Sequence, residues 1–382
     1  MNLESKLLIQ ALRRAVTGES VTIPEQLDWD MFLKLAHAHK VEGLAYTALK
    51  EQQLPAQVRT VLEKAYHQSI FRDVQLEYTK AQLQAALVDA GVNHIFLKGS
   101  VLKHNYPVPA LRTMTDMDIL VHTEDYEAID RICKSLGGQL DAGDGNHRNF
   151  YFPNGVKIEF HPNIVHQASP VGTGINPGWQ YAKKLPASGT MELTEEGFYM
   201  SILCHLADHF VDGGIGIRFI LDVWVFRNLR KEPMDRVFTE QELETFGLLA
   251  FVQNIERLAE AWFGNEKTDP VLDELAEYII SSGSHGIANR AMLNAVSLSK
   301  GGSKASAFWG KVFYPRQELE DRYPWCKGKT WLLPAAWCTR AFRAVTTHGV
   351  HILTWSKGTS SVTDDQVAQQ KEKLARFGIR RK

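Results

Sequence analysis

Apolar residues recur at helical spacing through the first 90 residues, with Leu7, Leu8, Leu12 and Val16 in one run and Met31, Phe32, Leu35 and Leu44 in another. Residues three and four apart share one face of a helix, so this stretch predicts an all-helical N-terminal region. The pattern changes between Asp89 and about residue 170. There the runs are short and strand-like: His94-Ile95-Phe96-Leu97, Asp118-Ile119-Leu120-Val121, Phe150-Tyr151-Phe152 and Val156-Lys157-Ile158-Glu159-Phe160. Turn signals at Gly143-Asp144-Gly145 and Pro153-Asn154-Gly155, and a helix from about Glu124 to Leu136, separate them. The last two runs predict a hairpin, which sets Glu159 on a strand beside the one that carries Asp116.

Helical periodicity resumes after a loop rich in Gly and Pro over 170–178. Thr194-Glu195-Glu196-Gly197 reads as an N-terminal cap with acidic residues in the first turn, opening a helix that runs to about Val211. Further helices are expected over 217–229, 240–263, 271–281 and 289–298. Tyr314 to Thr346 is rich in aromatic and arginine residues, and from Ser356 the chain turns polar, predicting a loosely held tail that ends in Arg380-Arg381-Lys382. The expected fold class is α+β, a small mixed β-sheet domain embedded between helical regions. Its parts are a helical N-terminal region (1–88), an α/β domain (89–170), a helical domain (171–300) and an aromatic, basic C-terminal extension with a flexible tail (301–382).

Composition narrows the field. A chain of 382 residues with 44% hydrophobic and 23% charged residues is that of a folded protein of two or three domains. The formal charge of −1, from 43 basic and 44 acidic residues, supplies no bulk field toward nucleic acid or anionic membrane, which disfavours long nucleic acid as a partner. The first residues have no basic segment followed by an apolar core, and no uncharged apolar stretch has membrane-spanning length, so a cytoplasmic address without membrane attachment is expected. Cys133, Cys204, Cys326 and Cys338 are far apart and read as reduced, mostly buried thiols.

The chemistry concentrates at Asp116 and Asp118, two residues apart in Thr-Asp-Met-Asp-Ile-Leu-Val. Side chains on a strand alternate between faces, so the two carboxylates project together while Met117 and Ile119 turn inward. Anions held that close repel unless a cation lies between them, which makes them half of a divalent metal site. Upstream, Lys98-Gly99-Ser100 forms a turn where a glycine lets backbone N–H groups approach a phosphate, and a serine can open a helix whose N-terminus favours anions. His205 and His209, four apart on a helix, form a rival metal pair, though the Glu of the HExxH pattern is missing.

In that order, Lys98-Gly99-Ser100, Asp116-x-Asp118 and a third carboxylate at Glu159 resemble the signature of the polymerase-β-like nucleotidyltransferases. Within that superfamily the chain looks most like a large, poorly characterised bacterial group of nucleotidyltransferases. It matches in Phe96-Leu97-Lys98-Gly99, Arg112 to Val121, Glu159-x-His161, His205-Leu206-Ala207-Asp208-His209 with Arg218 and Asp222, and a late segment from Phe313 to Arg340. One departure is the 15 residues between Ser100 and Asp116, longer than the usual spacing, which leaves open whether Ser100 meets the phosphate.

The resemblance implies that Asp116 and Asp118 bind two Mg²⁺ ions and that Glu159 completes the site of the nucleophile-activating ion. The donor is an NTP, with ATP favoured and AMP the group moved to a hydroxyl or phosphate acceptor as pyrophosphate leaves. The acceptor is unknown, a small molecule or protein before long nucleic acid. Nucleotide contacts are implied at Lys98, Gly99, Ser100, Arg112, His161, His205, Arg218 and Asp222. Several of these have a second reading: Lys98 as an exposed strand end, Arg112 in a structural salt bridge, His161 as a structural histidine. Related antibiotic-modifying enzymes take a carboxylate base from their helical domain, and Asp208 and Asp222 are the candidates here. Arg316, Arg322, Trp325, Trp331, Trp337 and Arg340 either meet the acceptor or fill an interface. Two other functions stay open, a nucleotide-binding module without turnover and a metal hydrolase built on His205 and His209.

Overall fold

The computed structural model describes residues 1–141, 148–165, 171, 177–185, 190–284, 287–299, 302–314, 316–342 and 362–380. The predicted Gly143-Asp144-Gly145 turn, most of the 170–178 loop and the end of the Tyr314–Thr346 stretch lie outside these residues.

Four helices open the chain: α1 (Leu3–Thr17), α2 (Trp29–Ala38), α3 (Glu42–Leu49) and α4 (Ala56–Asp89). Asn2 caps α1 by accepting from the Ser5 N–H at 3.1 Å, and Asp28 caps α2 by accepting from the Met31 N–H at 2.9 Å. The expected stripe of α1 is its buried face, with Leu7, Leu8, Leu12 and Val16 all inside.

The strands β1 (His94–Phe96), β2 (Asp116–Val121), β3 (Gln139–Leu140), β4 (Arg148–Tyr151) and β5 (Lys157–His161) form one five-stranded sheet in the order β1-β2-β5-β4-β3. Only β2 and β5 run parallel; β1 against β2, β3 against β4, and the β4–β5 hairpin are antiparallel, so the sheet is mixed as expected. Between β1 and β2 lie a single helical turn, α5 (Gly99–Leu102), and two 3-10 turns at Lys103–Asn105 and Pro109–Leu111. Strand alternation divides the sheet. Met117, Ile119 and Val121 join Ile158 and Phe160 in a core with Leu76, Leu83 and Leu87 of α4 and with Ile129 and Cys133 of α6 (Tyr126–Ser135). Asp116, Asp118, Glu159 and His161 are left on the other face.

A second hairpin, β6 (Ala182–Lys184) with β7 (Met191–Leu193), leads into α7 (Glu195–Val211), where Thr194 accepts from the Gly197 N–H as the predicted cap. α8 (Ile217–Leu229), α11 (Pro270–Ile280) and α12 (Ala288–Ser297) follow the expected periodicity. The run expected as one helix over 240–263 is instead two, α9 (Arg236–Phe246) and α10 (Leu249–Phe263). Gly247 takes a left-handed φ of 74° and its N–H closes on the Leu243 and Glu244 carbonyls, which ends α9. The larger core joins α1 and α3 to α7, α8, α10 and α11.

The tail also departs from expectation. Residues Asp364–Arg376 form a helix with a Thr363/Gln366 capping box, and Leu374, Phe377 and Ile379 enter the larger core. Gln370 donates to Asn294 of α12 at 2.7 Å, and Arg376 grips Glu274 of α11 with contacts of 2.9 to 3.2 Å. Three apolar residues on one side of a polar segment suffice because the partner surface is already built. Phe377 is fully buried, 6.0 Å from the Phe210 ring and 5.5 Å from Tyr278. Phe377→Ala is expected to lower unfolding stability by about 3 kcal/mol in urea denaturation, since a large cavity opens among rings that cannot close over it.

In the late aromatic segment, Leu319, Tyr323, Cys326 and Ala336 make a small core of their own. Trp337 donates to the Tyr314 carbonyl at 3.2 Å and the Arg340 guanidinium lies 3.6 Å above the Tyr314 ring. Trp331 stays 76% exposed. Cys133, Cys204 and Cys326 are buried free thiols, and Cys338 is exposed.

Candidate active site

Parallel pairing of β2 with β5 sets Asp116 against Lys157, Asp118 against Glu159 and Leu120 against His161. The register makes Asp118 and Glu159 direct neighbours, about 4.8 Å apart along the hydrogen-bonding direction. His161, two residues beyond Glu159 on the same face, brings Nε2 to 2.7 Å from Asp118 Oδ1 and 3.4 Å from Glu159 Oε2. Lys98 Nζ reaches the same Asp118 oxygen at 2.9 Å, and Lys157 pairs with Glu159. Donor atoms of Asp118, Glu159 and His161 all lie within 4.8 Å of one another. Asp116 shares the face but stands outside that three-donor group.

The electrostatics follow from this crowding. Burial alone would raise the Asp118 carboxyl, but the Lys98 ammonium and the His161 hydrogen bond outweigh it and hold it well below the usual range. Glu159 falls from 4.5 to about 2, chiefly through the hydrogen bond from His161, with burial opposing and Lys157 assisting. Asp116 moves the other way, raised by burial and by repulsion from Asp118 and Glu159. His161 is lowered by burial but raised more by its bonds to Asp118 and Glu159. His205 of α7, facing Lys98, is pushed well down by burial and by that ammonium, so it is neutral near pH 7.

A pH dependence follows. Glu159 binds its proton less tightly in the folded than in the unfolded chain, so its stabilisation is complete above about pH 4.5 and is lost as pH falls through about 2. The full shift corresponds to about 3 kcal/mol, of which about 2 kcal/mol is gone by about pH 3. The raised His161 acts in the opposite sense, present at low pH and lost as pH rises through its folded value. With divalent ions chelated, urea denaturation between about pH 6 and 3 is expected to lose about 2 kcal/mol more in the wild type than in Glu159→Gln. Equal losses would remove Glu159 from the network.

The Lys98-Gly99-Ser100 turn is held from behind. Lys98 takes φ 49° and ψ −122°, a left-handed conformation that costs a non-glycine residue about 1–3 kcal/mol. A Cβ on Gly99 would stand 2.1 Å from Arg112 Nη1, so the glycine is required by close packing. Ser100 is 1% exposed and its hydroxyl donates to the Leu97 carbonyl at 2.8 Å, turned into its own turn and not toward the cleft. Lys80 of α4 donates to the Ser100 carbonyl at 3.2 Å.

Arg112 forks onto Asp222 of α8, Nε to Oδ1 at 3.1 Å and Nη2 to Oδ2 at 2.7 Å, and Tyr106 donates to the same carboxylate at 2.6 Å. Asp222, expected at the nucleotide or as a base, is 2% exposed and engaged by both partners. Arg112 takes the salt-bridge alternative. Sequence reasoning missed Tyr106; its signal was the long Ser100–Asp116 connection, whose 3-10 turns deliver Tyr106 and Arg112 to Asp222. Arg218, one turn before Asp222, donates from Nη1 to the Thr113 carbonyl at 2.8 Å. Its Nε is buried with no hydrogen-bond partner, and among the described residues no carboxylate pairs with it. Burial and the neighbouring Arg112 lower its pKa to about 10.

His205 and His209 pack edge to face, ring centroids 4.2 Å apart. Among the described residues the one three-donor group is Asp118, Glu159 and His161, and neither of these histidines belongs to it. The expected rival metal centre therefore lacks its further ligand there.

A small mixed sheet between helical regions, with acidic residues gathered on two parallel strands beside a glycine turn, defines a nucleotidyltransferase-like domain. The chain belongs to the family described as uncharacterised nucleotidyltransferase, whose family model matches residues 25–264. It is a transferase, and a nucleotide is its substrate. No curated protein and no solved structure matches the chain. No described helix is long and apolar enough to cross a membrane.

Proposed function

We propose that the protein moves a nucleoside monophosphate, AMP before others, from an NTP to a hydroxyl or phosphate acceptor with release of pyrophosphate. The observation that carries this reading is the alignment of Asp118 with Glu159 across β2 and β5, opposite the Lys98–Gly99 turn. The donor set fits a divalent ion: hard carboxylate oxygens on one face, with Asp116 raised by burial and by repulsion from Asp118 and Glu159 that a cation would relieve. Asp118 and Glu159 would hold that ion with Asp116 beside them, Mg²⁺ being the ion the family resemblance implies. When bound, it supplies charge neutralisation at the phosphate and activation of the acceptor oxygen.

The remaining work belongs to the chain. Lys98 and Arg218 supply positive charge where a triphosphate would lie, and the Arg218 guanidinium, its Nε buried without a hydrogen-bond partner, is the strongest sign of an anion site. Helix α8 fixes Arg218 through Thr113, so the cation is positioned before substrate arrives. Asp222, held by Arg112 and Tyr106, orients and does not act as a base. Asp208, one turn from His205 on α7, is the remaining one of the two candidate carboxylates for the acceptor proton.

The test is calorimetric titration of ATP, GTP, CTP and UTP with and without a divalent ion, on wild type and an Asp116→Ala, Asp118→Ala double variant. Metal-dependent binding in the micromolar range, lost in the variant, is the expected result and names the donor; absence of binding by folded wild type would overturn the reading. Arg218→Gln is expected to weaken NTP binding by about 10- to 100-fold, the worth of a charge-assisted contact, while melting temperature holds or rises.

A further inference from the structure

The metal face contains one donor that an oxygen-loving ion does not ask for. His161 lies two residues beyond Glu159 on β5, and the β2–β5 register aims its Nε2 between Asp118 and Glu159. Two ligands at right angles on one ion, each about 2.1 Å away, stand roughly 3 Å apart. The Nε2 distances of 2.7 Å to Asp118 Oδ1 and 3.4 Å to Glu159 Oε2 bracket that spacing. Asp116, the carboxylate expected to share the ion, is outside the group of three.

Resting on the reading of this face as the metal site of nucleotidyl transfer, we propose that His161 binds the ion directly. The ion held by Asp118, Glu159 and His161 then has a mixed nitrogen and oxygen set. Imidazole nitrogen suits divalent first-row transition ions, whereas Mg²⁺ favours oxygen alone. This position therefore takes Mn²⁺ in preference to Mg²⁺. An ion arriving with the triphosphate meets Asp116 and Asp118, all oxygen, and is under no such preference.

The arrangement also explains why a histidine stands where a lysine or arginine would neutralise the carboxylates equally well. Lys98 and Lys157 already supply permanent positive charge to Asp118 and Glu159. A third fixed cation would repel a metal ion, whereas an imidazole nitrogen placed between the two carboxylates offers the ion a lone pair.

The test uses the full chain, stripped with chelator and loaded with Mn²⁺, read by pulsed electron paramagnetic resonance. A nitrogen coupling of imidazole type is expected on the ion, changing to the ¹⁵N pattern in protein grown with ¹⁵N-histidine; this readout needs no variant to fold. In His161→Gln the coupling disappears, Mn²⁺ binding by calorimetry weakens by about 100-fold, and the preference for Mn²⁺ over Mg²⁺ drops by at least about 10-fold. Mn²⁺ that binds through Asp118, as shown by loss in Asp118→Asn, yet carries no nitrogen coupling would overturn the proposal and leave nucleotidyl transfer standing. Coupling that survives His161→Gln would assign the nitrogen to another histidine and overturn it as well. Failure to bind Mn²⁺ with or without ATP would take down both this proposal and the reading beneath it.

Discussion

Asp118→Asn is expected to lower nucleotidyl transfer by at least about 10³-fold while leaving the protein folded. The substitution keeps the shape of the side chain and its hydrogen-bond acceptor for Lys98 and His161, but removes the charge on which both converge. Loss of a group that holds a charge-neutralising ion removes several kcal/mol of transition-state stabilisation, and about 4 kcal/mol is about 10³-fold in rate. Folding is spared because neither strand loses a core contact: Met117 and Ile119 pack on the opposite face. The measurement is pyrophosphate release from the NTP that binds, with water or the best acceptor, alongside circular dichroism of the variant. A folded Asp118→Asn protein that releases pyrophosphate at the wild-type rate would sink the metal mechanism.

What the sequence made legible, and what it hid, divides along a physical line. The β4–β5 hairpin, the cap at Thr194 and the face shared by Asp116 and Asp118 are local: turn chemistry at Pro153-Asn154-Gly155, a side-chain acceptor and a period of two each act within a few residues. Assembly of Asp118, Glu159 and His161 depends on a parallel register across about 40 residues, which periodicity cannot number. The Arg112–Asp222 pair joins residues 110 apart, and nothing near either one marks its partner. The Asp364–Arg376 helix misled because its apolar stripe is thin and becomes stable only against α12 and the larger core. Gly247 split the 240–263 run although a glycine inside a helical pattern is often tolerated; its left-handed φ is what decided the outcome.

The stability of the site rests on Asp222, and Asp222→Ala is expected to lower unfolding free energy by about 4 kcal/mol. The carboxylate accepts from Tyr106 and from two nitrogens of Arg112 in a region where Arg112 is 9% exposed. Removing it strands a buried guanidinium next to Arg218, itself without a carboxylate partner among the described residues, and an uncompensated buried charge costs about 3–5 kcal/mol. Replacing both partners, as in Arg112→Met with Asp222→Leu, is expected to recover most of that loss, because the cost lies in the orphaned charge and not in the pair's net attraction. Urea denaturation of the three proteins checks this; a loss below about 1 kcal/mol for Asp222→Ala would deny the network its structural role. Gly99 extends the test to the active-site turn. A Cβ there would meet Arg112 Nη1 at 2.1 Å while Asp222 holds the guanidinium, so Gly99→Ala destabilises the wild type strongly. In the Arg112→Met, Asp222→Leu background the obstruction is gone and the same change is expected to cost less. That non-additivity would tie the phosphate-side turn to a carboxylate on α8, a connection that distance along the chain conceals.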